Sequence, residues 1–400
     1  MTTLQRLCPS TSRILSRAGG LSSFSCSSRS YSKRVVKEND IVLLKHRTNP
    51  SAPILSGKLR VGRKTTLSSN SNWKDSIEND QIIGKELRDV VTSRKGVNYR
   101  VLEPSLADYT DCSPRIVTPI YSQDANLIVS LLDLHPSPPR PNAIDNERLE
   151  IFEAGTGHGA LTLHLAKAIH AANPPAPIPE PTSQTDDNNA QLEDLNNDKA
   201  WRAARRAVIH TLDINVAHSQ HAKQVVKNFR NGLYFPNVDF HAGTIEEYLS
   251  GRQATSDEPF LDHAILDLPA TQNYFDIVSK AMKPHGTLIG FCPSITQINA
   301  CILLVKQQNL PFFLEKVIET GGSVGVGGRE WDVRLVTPRA LKNESRDKTD
   351  GTDVVEDAVA DRKVSEVSNS GGEMVCRPKV GVRVFGGGFL GVWRKITSFS

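Results

Sequence analysis

An acidic residue and three alternating glycines follow a short apolar segment near the middle of the chain. The pattern Glu-x-Gly-x-Gly-x-Gly begins at Glu153 and ends at Gly159. Because glycine has no Cβ atom, such a backbone can turn tightly and approach a ligand closely. Apolar residues predict a strand over 149–152 and a helix from 160 onward. The free N–H groups and the positive dipole end of that helix would face the same ligand.

The glycine spacing distinguishes two classes of nucleotide-like cofactor. The dinucleotide fingerprint is Gly-x-Gly-x-x-Gly, whereas the glycines here are closer by one residue. The preceding acid suits the amino-acid end of S-adenosyl-L-methionine (SAM), which has no pyrophosphate to wrap. The pattern therefore favours SAM over NAD, and a glycine-rich turn that binds no ligand is the alternative. We predict cofactor contacts for Glu153, Gly155, Thr156, Gly157, His158, Gly159 and Ala160.

Two further carboxylates end predicted strands. Asp213 ends a strand predicted over 207–213, where an acid holds the ribose hydroxyls in nucleotide-binding βαβ units. It follows Gly159 by 54 residues instead of the usual distance of about 20 residues, because a polar insertion intervenes. Asp267 ends a strand predicted over 263–267, at the ligand-binding edge of a parallel sheet. A helix-capping aspartate is the alternative for Asp267.

Strand and helix patterns alternate through the rest of the chain and indicate a doubly wound α/β sheet. We predict a Rossmann-like, class I SAM-dependent methyltransferase domain over 113–396. Segments 380–384 and 389–393 are predicted to form its terminal β-hairpin. Polar, charged or proline-rich composition predicts disordered insertions at 174–200 and 338–378.

The residues before this domain form two segments of different composition. Residues 1–34 contain six lysines or arginines and no acid, as is typical of a mitochondrial transit peptide; a disordered tail is the alternative. Short strand patterns over 35–112 predict a small β-rich domain. Between Lys37 and Arg100, 13 basic residues accompany 7 acidic ones. We expect this domain to bind RNA phosphates or a partner, with ordinary solvated side chains as the alternative.

Composition excludes several classes of protein. No apolar run in the 400 residues is long enough to span a bilayer, so we expect no membrane association. The six cysteines form no Cys-x-x-Cys pair, which argues against a zinc ribbon or a disulfide framework. The histidines show no metal-binding arrangement either, and we predict no metal site. Without the six cations of 1–34, the chain has 42 basic and 44 acidic residues, so a polyanion site must be a local patch.

An ordered set of motifs resembles the catalytic subunits of tRNA adenine-58 N1-methyltransferases. The glycine motif alone occurs in many methyltransferases, whereas the ordered set is specific to this family. The resemblance covers roughly residues 80–336 and resumes near 380. It rests on Leu106-Ala-Asp-Tyr, Thr118-Pro-Ile-Tyr-Ser-Gln-Asp-Ala, Glu153-Ala-Gly-Thr-Gly-His-Gly-Ala-Leu-Thr, Leu266-Asp-Leu-Pro-Ala, Pro293-Ser-Ile-Thr-Gln and Arg329-Glu-Trp-Asp-Val-Arg.

The resemblance implies transfer of the SAM methyl group to N1 of adenosine 58 in tRNA. Adenine N1 is neutral and carries a lone pair, so the enzyme mainly aligns the reactants. Methylation makes the ring cationic, and Asp267 would stabilise that charge and accept a hydrogen bond from the exocyclic amine. Tyr121 would contact the target base, with a plain core tyrosine as the alternative, and Thr118 and Tyr121 would close over the cofactor. The base would have to leave its stack to reach the site.

Two other functions remain open at this point. Departures from the family motifs, such as Thr271-Gln272 in place of a tryptophan, favour a non-catalytic tRNA-binding or assembly subunit. The intact Asp213 and Asp267 argue against it. A NAD-linked oxidoreductase is disfavoured by the glycine spacing. The resemblance further implies a tetramer, either of one chain or with a non-catalytic partner. The leader composition predicts the mitochondrial matrix and a mitochondrial tRNA, with the nucleus as the alternative.

Overall fold

The structure, a computed structural model, describes nine segments of the chain. The described segments from Val35 onward belong to one compact unit. The predicted leader and most of both predicted insertions lie outside the described residues. Only the backbone is described for 331–336 and 373–378. The segments are 34–47, 53–67, 75–138, 148–177, 198–256, 258–321, 331–336, 373–378 and 387–397.

Short strands form the N-terminal part of this unit, as the sequence predicts for 35–112. Residues 82–84 form a turn after a 3₁₀ helix (Asn79–Gln81). An antiparallel sheet has the order β2-β1-β6-β5, and β3 pairs separately with β4. Leu44, Ile77 and Val101 belong to its small core. The strands are β1 (Leu43–His46), β2 (Ile54–Leu55), β3 (Lys64–Thr66), β4 (Ser76–Glu78), β5 (Val90–Thr92) and β6 (Asn98–Leu102).

Two helices connect this sheet to the larger one. They are α1 (Leu106–Cys112) and α2 (Ser122–Leu132). Ser122 and Asp124 lie inside the first turn of α2 and are buried, and Tyr121 occupies the cap position. The Ser122 hydroxyl instead bonds Thr110 Oγ1 at 2.8 Å and Asp111 Oδ1 at 2.9 Å. These contacts fix α2 against α1.

The larger sheet confirms the predicted doubly wound fold. Its strand order is β12-β15-β11-β10-β7-β8-β9, and β15 is antiparallel to both of its neighbours. The other described pairings in it are parallel. Parallel neighbours require crossover connections, and helices supply them. The strands are β7 (Leu149–Ala154), β8 (Ala207–Asp213), β9 (Val238–Ala242), β10 (Leu261–Leu266), β11 (Met282–Cys292), β12 (Phe312–Thr320) and β15 (Gly388–Lys395).

Helices cover both faces of this sheet. Alternate strand residues point to opposite faces, so Ile151 and Phe152 belong to different cores. The core around Ile151 includes residues of α2, α3 and α5, and the core around Phe152 includes residues of α6, α7 and α8. The remaining helices are α3 (Ala160–Ile169), α4 (198–203), α5 (Val216–Asn228), α6 (Ile245–Gln253), α7 (Phe275–Ala281) and α8 (Ile295–Gln307). None of the helices in the described segments is long and apolar enough to cross a membrane.

The second predicted insertion contains a strand. β13 (Trp331–Val336) pairs with β14 (Glu373–Pro378) in an antiparallel ladder. The prediction of disorder over 338–378 is therefore wrong for 373–378, because this pairing is non-local and composition does not reveal it. Similarly, α4 begins at 198, inside the first predicted insertion. The predicted hairpin partner at 380–384 lies outside the described residues, and β15 pairs with β12 and β11.

Candidate active site at the carboxyl edge of the sheet

The glycine turn between β7 and α3 depends on residues without side chains. Gly155 has φ +94°, and a Cβ atom there would overlap the backbone carbonyl oxygen of Asp267. A Cβ atom on Gly159, where φ is +82°, would lie 2.9 Å from Cβ of Ala222 in α5. Both glycines are thus required by positive φ and by close approach of neighbouring atoms. The turn thus packs closely against the residue that follows β10 and against the middle of α5.

Asp213 fastens this turn to the end of β8. Its Oδ2 accepts a hydrogen bond from the Gly157 N–H at 2.9 Å, and its Oδ1 accepts one from Asn215 N–H at 2.8 Å. Each carboxylate oxygen has more than one acceptor position, so both can still accept hydroxyl donors. The predicted ribose-binding acid therefore lies directly beside the glycine turn.

Asp267 lies at the same edge, immediately after β10. Its backbone N–H donates to Ala154 O at 2.9 Å, which joins it to the end of β7. Burial raises the pKa of the Asp267 carboxyl to about 6, with a further contribution from the negative charge of Asp213. The structure thus brings together the two strand-end aspartates that the sequence places 54 residues apart.

Glu153 is inside the protein rather than on the surface of the site. Its side chain is 1% exposed, and its Oε2 accepts a hydrogen bond from Thr162 Oγ1 in α3 at 2.6 Å. Burial raises the pKa of Glu153 to about 7; bonds from Thr162 and Thr211 lower it, and Asp267 and Asp213 raise it. Its predicted contact with a cofactor remains a prediction.

Three carboxylates therefore interact across the glycine turn. The charges of Asp267 and Asp213 raise the pKa of Glu153, and the charge of Asp213 raises the pKa of Asp267, so a bound cation would relieve this repulsion. Within the described segments, no group of three His, Cys, Asp or Glu side chains has a metal-binding arrangement. An organic cation beside a close-packed glycine turn suits this site, and the sulfonium and amine of SAM have that chemistry.

The other predicted cofactor residues in the turn have buried side chains. Thr156 Oγ1 lies 2.7 Å from Thr211 Oγ1. The His158 ring lies 5.4 Å from the His221 ring, and burial lowers the pKa of His158 to about 4. Ala160 is the first residue of α3 and is also buried. These side chains shape the turn, and their backbone is the part that can face a ligand.

The 113–121 segment packs beside the turn. Val117 Cγ2 is 3.4 Å from where a Cβ atom on Gly157 would lie. Thr118 is exposed and Tyr121 is half-buried. The Arg115 guanidinium lies 5.2 Å from the centre of the Tyr121 ring and donates to its hydroxyl at 3.3 Å. Arg115 was not among the residues predicted from the sequence, because its contact with Tyr121 depends on how the loop between α1 and α2 folds.

An exposed apolar side chain next to Asp213 was also missed. Ile214 is 76% exposed, and Val216, two residues on, is 54% exposed. Exposed apolar side chains beside an acid that is predicted to bind ribose offer a surface for a flat heteroaromatic ring. The sequence signal was an isoleucine directly after a predicted strand end.

A cavity of about 970 Å³ lies at the opposite, amino edge of the sheet. Charged side chains that line it are paired with one another. Arg252 bonds Glu150 at 2.9 Å, and Lys283 bonds Asp262 at 3.0 Å. This cavity lies at the other end of the strands from the glycine turn. It is therefore separate from the candidate active site.

Strand order and site together define the class. A mixed seven-stranded sheet with one antiparallel strand, a glycine turn after β7 and acids after β8 and β10 make this a class I SAM-dependent methyltransferase fold. SAM is the cofactor of that class. A SAM-dependent O-methyltransferase from Thermotoga maritima has a TM-score of 0.54 and 15% identity, covering 92% of this chain and 96% of that one. The tRNA (m1A58) methyltransferase TrmI from Aquifex aeolicus has a TM-score of 0.52 and 15% identity, covering 91% and 100%.

The chain is also similar in sequence to known tRNA methyltransferases. The tRNA (adenine(58)-N(1))-methyltransferase TrmI of Thermus thermophilus is 28% identical over 262 residues, which cover 66% of this chain and 78% of the relative. The tRNA (adenine(57)-N(1)/adenine(58)-N(1))-methyltransferase TrmI of Methanocaldococcus jannaschii is 24% identical over 217 residues, which cover 54% and 66%. No family model matches the chain.

Proposed function

We propose that this chain binds SAM and methylates N1 of adenosine 58 in tRNA. The observation that carries the proposal is the position of Asp267, whose backbone carbonyl contacts Gly155 of the glycine turn. A carboxylate in this place lies beside the reacting centre of a cofactor bound at the turn. The named activity of the Thermus thermophilus relative supports tRNA and adenine N1 as the substrate.

Different residues at the carboxyl edge of the sheet bind different parts of SAM. The glycine turn receives the methionine portion, and Asp213 accepts hydrogen bonds from the ribose hydroxyls. Ile214 packs against the adenine ring. Glu153 and Asp267 supply the negative potential that a sulfonium and an amine require. SAM itself supplies an activated methyl group.

Asp267 acts on the target base. Ionised Asp267 accepts a hydrogen bond from the exocyclic amine, which directs N1 toward the methyl group. The ring becomes cationic as the methyl group is transferred, and the buried carboxylate stabilises this charge. No proton has to leave before attack, because N1 already has a lone pair. The role of Asp267 is therefore orientation and charge stabilisation.

Tyr121 positions the same base in this proposal. Arg115 covers one face of the Tyr121 ring and bonds its hydroxyl, so the ring orientation is fixed before the substrate arrives. Thr118 and Tyr121 then close over the cofactor from the 113–121 segment. The target base reaches them after extrusion from the folded tRNA.

The cellular setting is part of the proposal. The acid-free leader 1–34 supports import into the mitochondrial matrix and a mitochondrial tRNA substrate; the nucleus is the alternative. The resemblance supports a tetramer, either of this chain or with a non-catalytic partner.

The deciding experiment is methylation of unmodified tRNA by the purified protein with SAM, followed by mapping of the modified nucleoside. We expect N1-methyladenosine at position 58. Binding of SAM and tRNA without methylation would instead support the non-catalytic subunit, which the Thr271-Gln272 departure favours. A product at another atom or position would contradict the proposed specificity.

A further inference from the structure

One face of the N-terminal sheet changes along β1 from apolar and buried to basic and exposed. Leu43, Lys45 and Arg47 point to the same side, because alternate residues of a strand share a face. Leu43 is buried, whereas Lys45 and Arg47 are exposed. Leu55, which pairs with Leu43, packs against the core that contains α1. The apolar half of this face is thus covered by the larger domain, and the basic half continues beyond it.

Register places two cations directly opposite each other on the uncovered half. Lys45 in β1 is the cross-strand partner of Arg100 in β6, and both are exposed. Side chains in such positions have Cβ atoms about 5 Å apart, and like charges there destabilise the sheet. By contrast, Lys64 in β3 lies opposite Glu78 in β4. The β1–β6 pair thus opposes two cations, whereas the β3–β4 pair joins opposite charges.

The cross-strand neighbours in β5 and β6 add no acid to this half. Val90 in β5 lies opposite Arg100 and is exposed, and Thr92 pairs with Asn98 through a hydrogen bond of 2.8 Å. We name Lys45, Arg47 and Arg100 the basic strand face. A cationic strip of strand surface suits a repeating anion, because each bound phosphate would relieve the repulsion between the opposed cations.

This face is connected to the site by a short stretch of chain. From Arg100 the chain passes through α1 to Arg115 beside Tyr121. Fifteen residues, about half of them helical, limit the separation of Arg100 and Arg115 to about 40 Å. A folded RNA whose base enters the site can extend over such a distance.

We infer that the basic strand face binds the phosphate backbone of the tRNA substrate while the target base occupies the site. The inference rests on the proposed function and identifies the surface that would hold the tRNA. Phosphate contacts position a nucleic acid without reading its sequence, so this face contributes affinity and orientation. Catalysis remains with the residues at the glycine turn.

The test compares the full-length protein with a Lys45→Ala/Arg100→Ala double variant. Binding of tRNA is measured against salt concentration, and methylation kinetics are measured with SAM saturating. Loss of two phosphate contacts should weaken tRNA binding on the order of tenfold and lower the slope of log affinity against log salt by about two. KM for tRNA should rise in parallel, with kcat and SAM affinity little changed.

Two further variants make the result specific. Lys64→Ala removes a cation of the same sheet region that faces Glu78, and it should leave the salt slope near that of the wild type. The Lys45→Arg/Arg100→Lys double variant keeps both positive charges, so its salt slope should also stay near that of the wild type. If the alanine double variant keeps the wild-type slope of log affinity against log salt, and the wild-type protein methylates tRNA, the proposed phosphate-binding role of the basic strand face is wrong. The proposed function would then still stand. Failure of the wild-type protein to bind tRNA at all would overturn both.

Discussion

Among single residues, Asp267 should be the one on which methyl transfer depends. Asp267→Ala removes the carboxylate that orients the adenine and stabilises its charge, while Asp213 and the glycine turn remain. We expect methylation to be abolished with SAM affinity largely intact, measured by single-turnover rates and by calorimetry. Asp276→Ala, which alters a half-buried aspartate paired with Lys280, serves as the control. A variant that retains roughly a tenth of the wild-type rate or more, a loss of no more than about 1.4 kcal/mol in the barrier, would remove Asp267 from the mechanism.

The raised pKa values of Glu153 and Asp267 make SAM binding depend on pH. A cationic ligand favours the ionised carboxylates, whose pKa values are about 7 and about 6 in the free protein. The Kd for SAM should therefore fall at least about tenfold from about pH 5 to about pH 7, with release of protons on binding. Calorimetry in buffers of different ionisation enthalpy measures both quantities. A Kd independent of pH, or one unchanged in its pH dependence by Glu153→Gln, would contradict this.

The same pKa shifts act in the opposite direction on the ligand-free fold. Glu153 and Asp267 hold their protons more strongly in the folded state than at their ordinary pKa values of 4.5 and 3.8. The unfolded chain therefore binds fewer protons in this range, and their contribution to stability decreases as pH rises from about 4 to about 7. In the ligand-free protein, the ionised carboxylates at this site repel one another, and binding of a cationic ligand would relieve that repulsion.

For the turn between β7 and α3, glycine is a structural requirement. Gly155→Ala places a Cβ atom against the Asp267 carbonyl at φ +94°. We expect a loss of more than about 1 kcal/mol in unfolding free energy, together with loss of SAM binding. Gly251→Ala in α6 is the matched control, because no atom lies within 4 Å of its added Cβ. It should stabilise the fold by about 0.5–1 kcal/mol. Equal unfolding midpoints in urea for the two variants would contradict the argument.

Elements with strong local patterns were predicted closely. The strand predicted over 207–213 is β8 (Ala207–Asp213), and the strand predicted over 149–152 is β7 (Leu149–Ala154). In both, apolar periodicity, which is local, marks the buried face. At the start of α2, by contrast, Ser122 is a residue type that often caps a helix, but Thr110 and Asp111 of α1 hold it inside the first turn. Tertiary contacts override a local capping preference in such cases.

For the whole molecule, we expect residues 1–34 to direct import into mitochondria. Their six cations and lack of acids suit an imported amphipathic leader. Fusion of 1–34 to a fluorescent protein should place it in mitochondria, and replacement of Arg6, Arg13 and Arg17 by glutamine should leave it in the cytosol. Nuclear accumulation of the full-length fusion would favour the alternative location.

The sequence by itself determined the class of sheet, the glycine turn and the acids that follow it, since these depend on periodicity and on residue types at strand ends. Tertiary structure decided which side chains meet. It placed Glu153 inside the protein, left Ile214 exposed at the surface, and aligned Lys45 with Arg100. Burial and strand register depend on residues distant in the chain, and a single sequence does not record them.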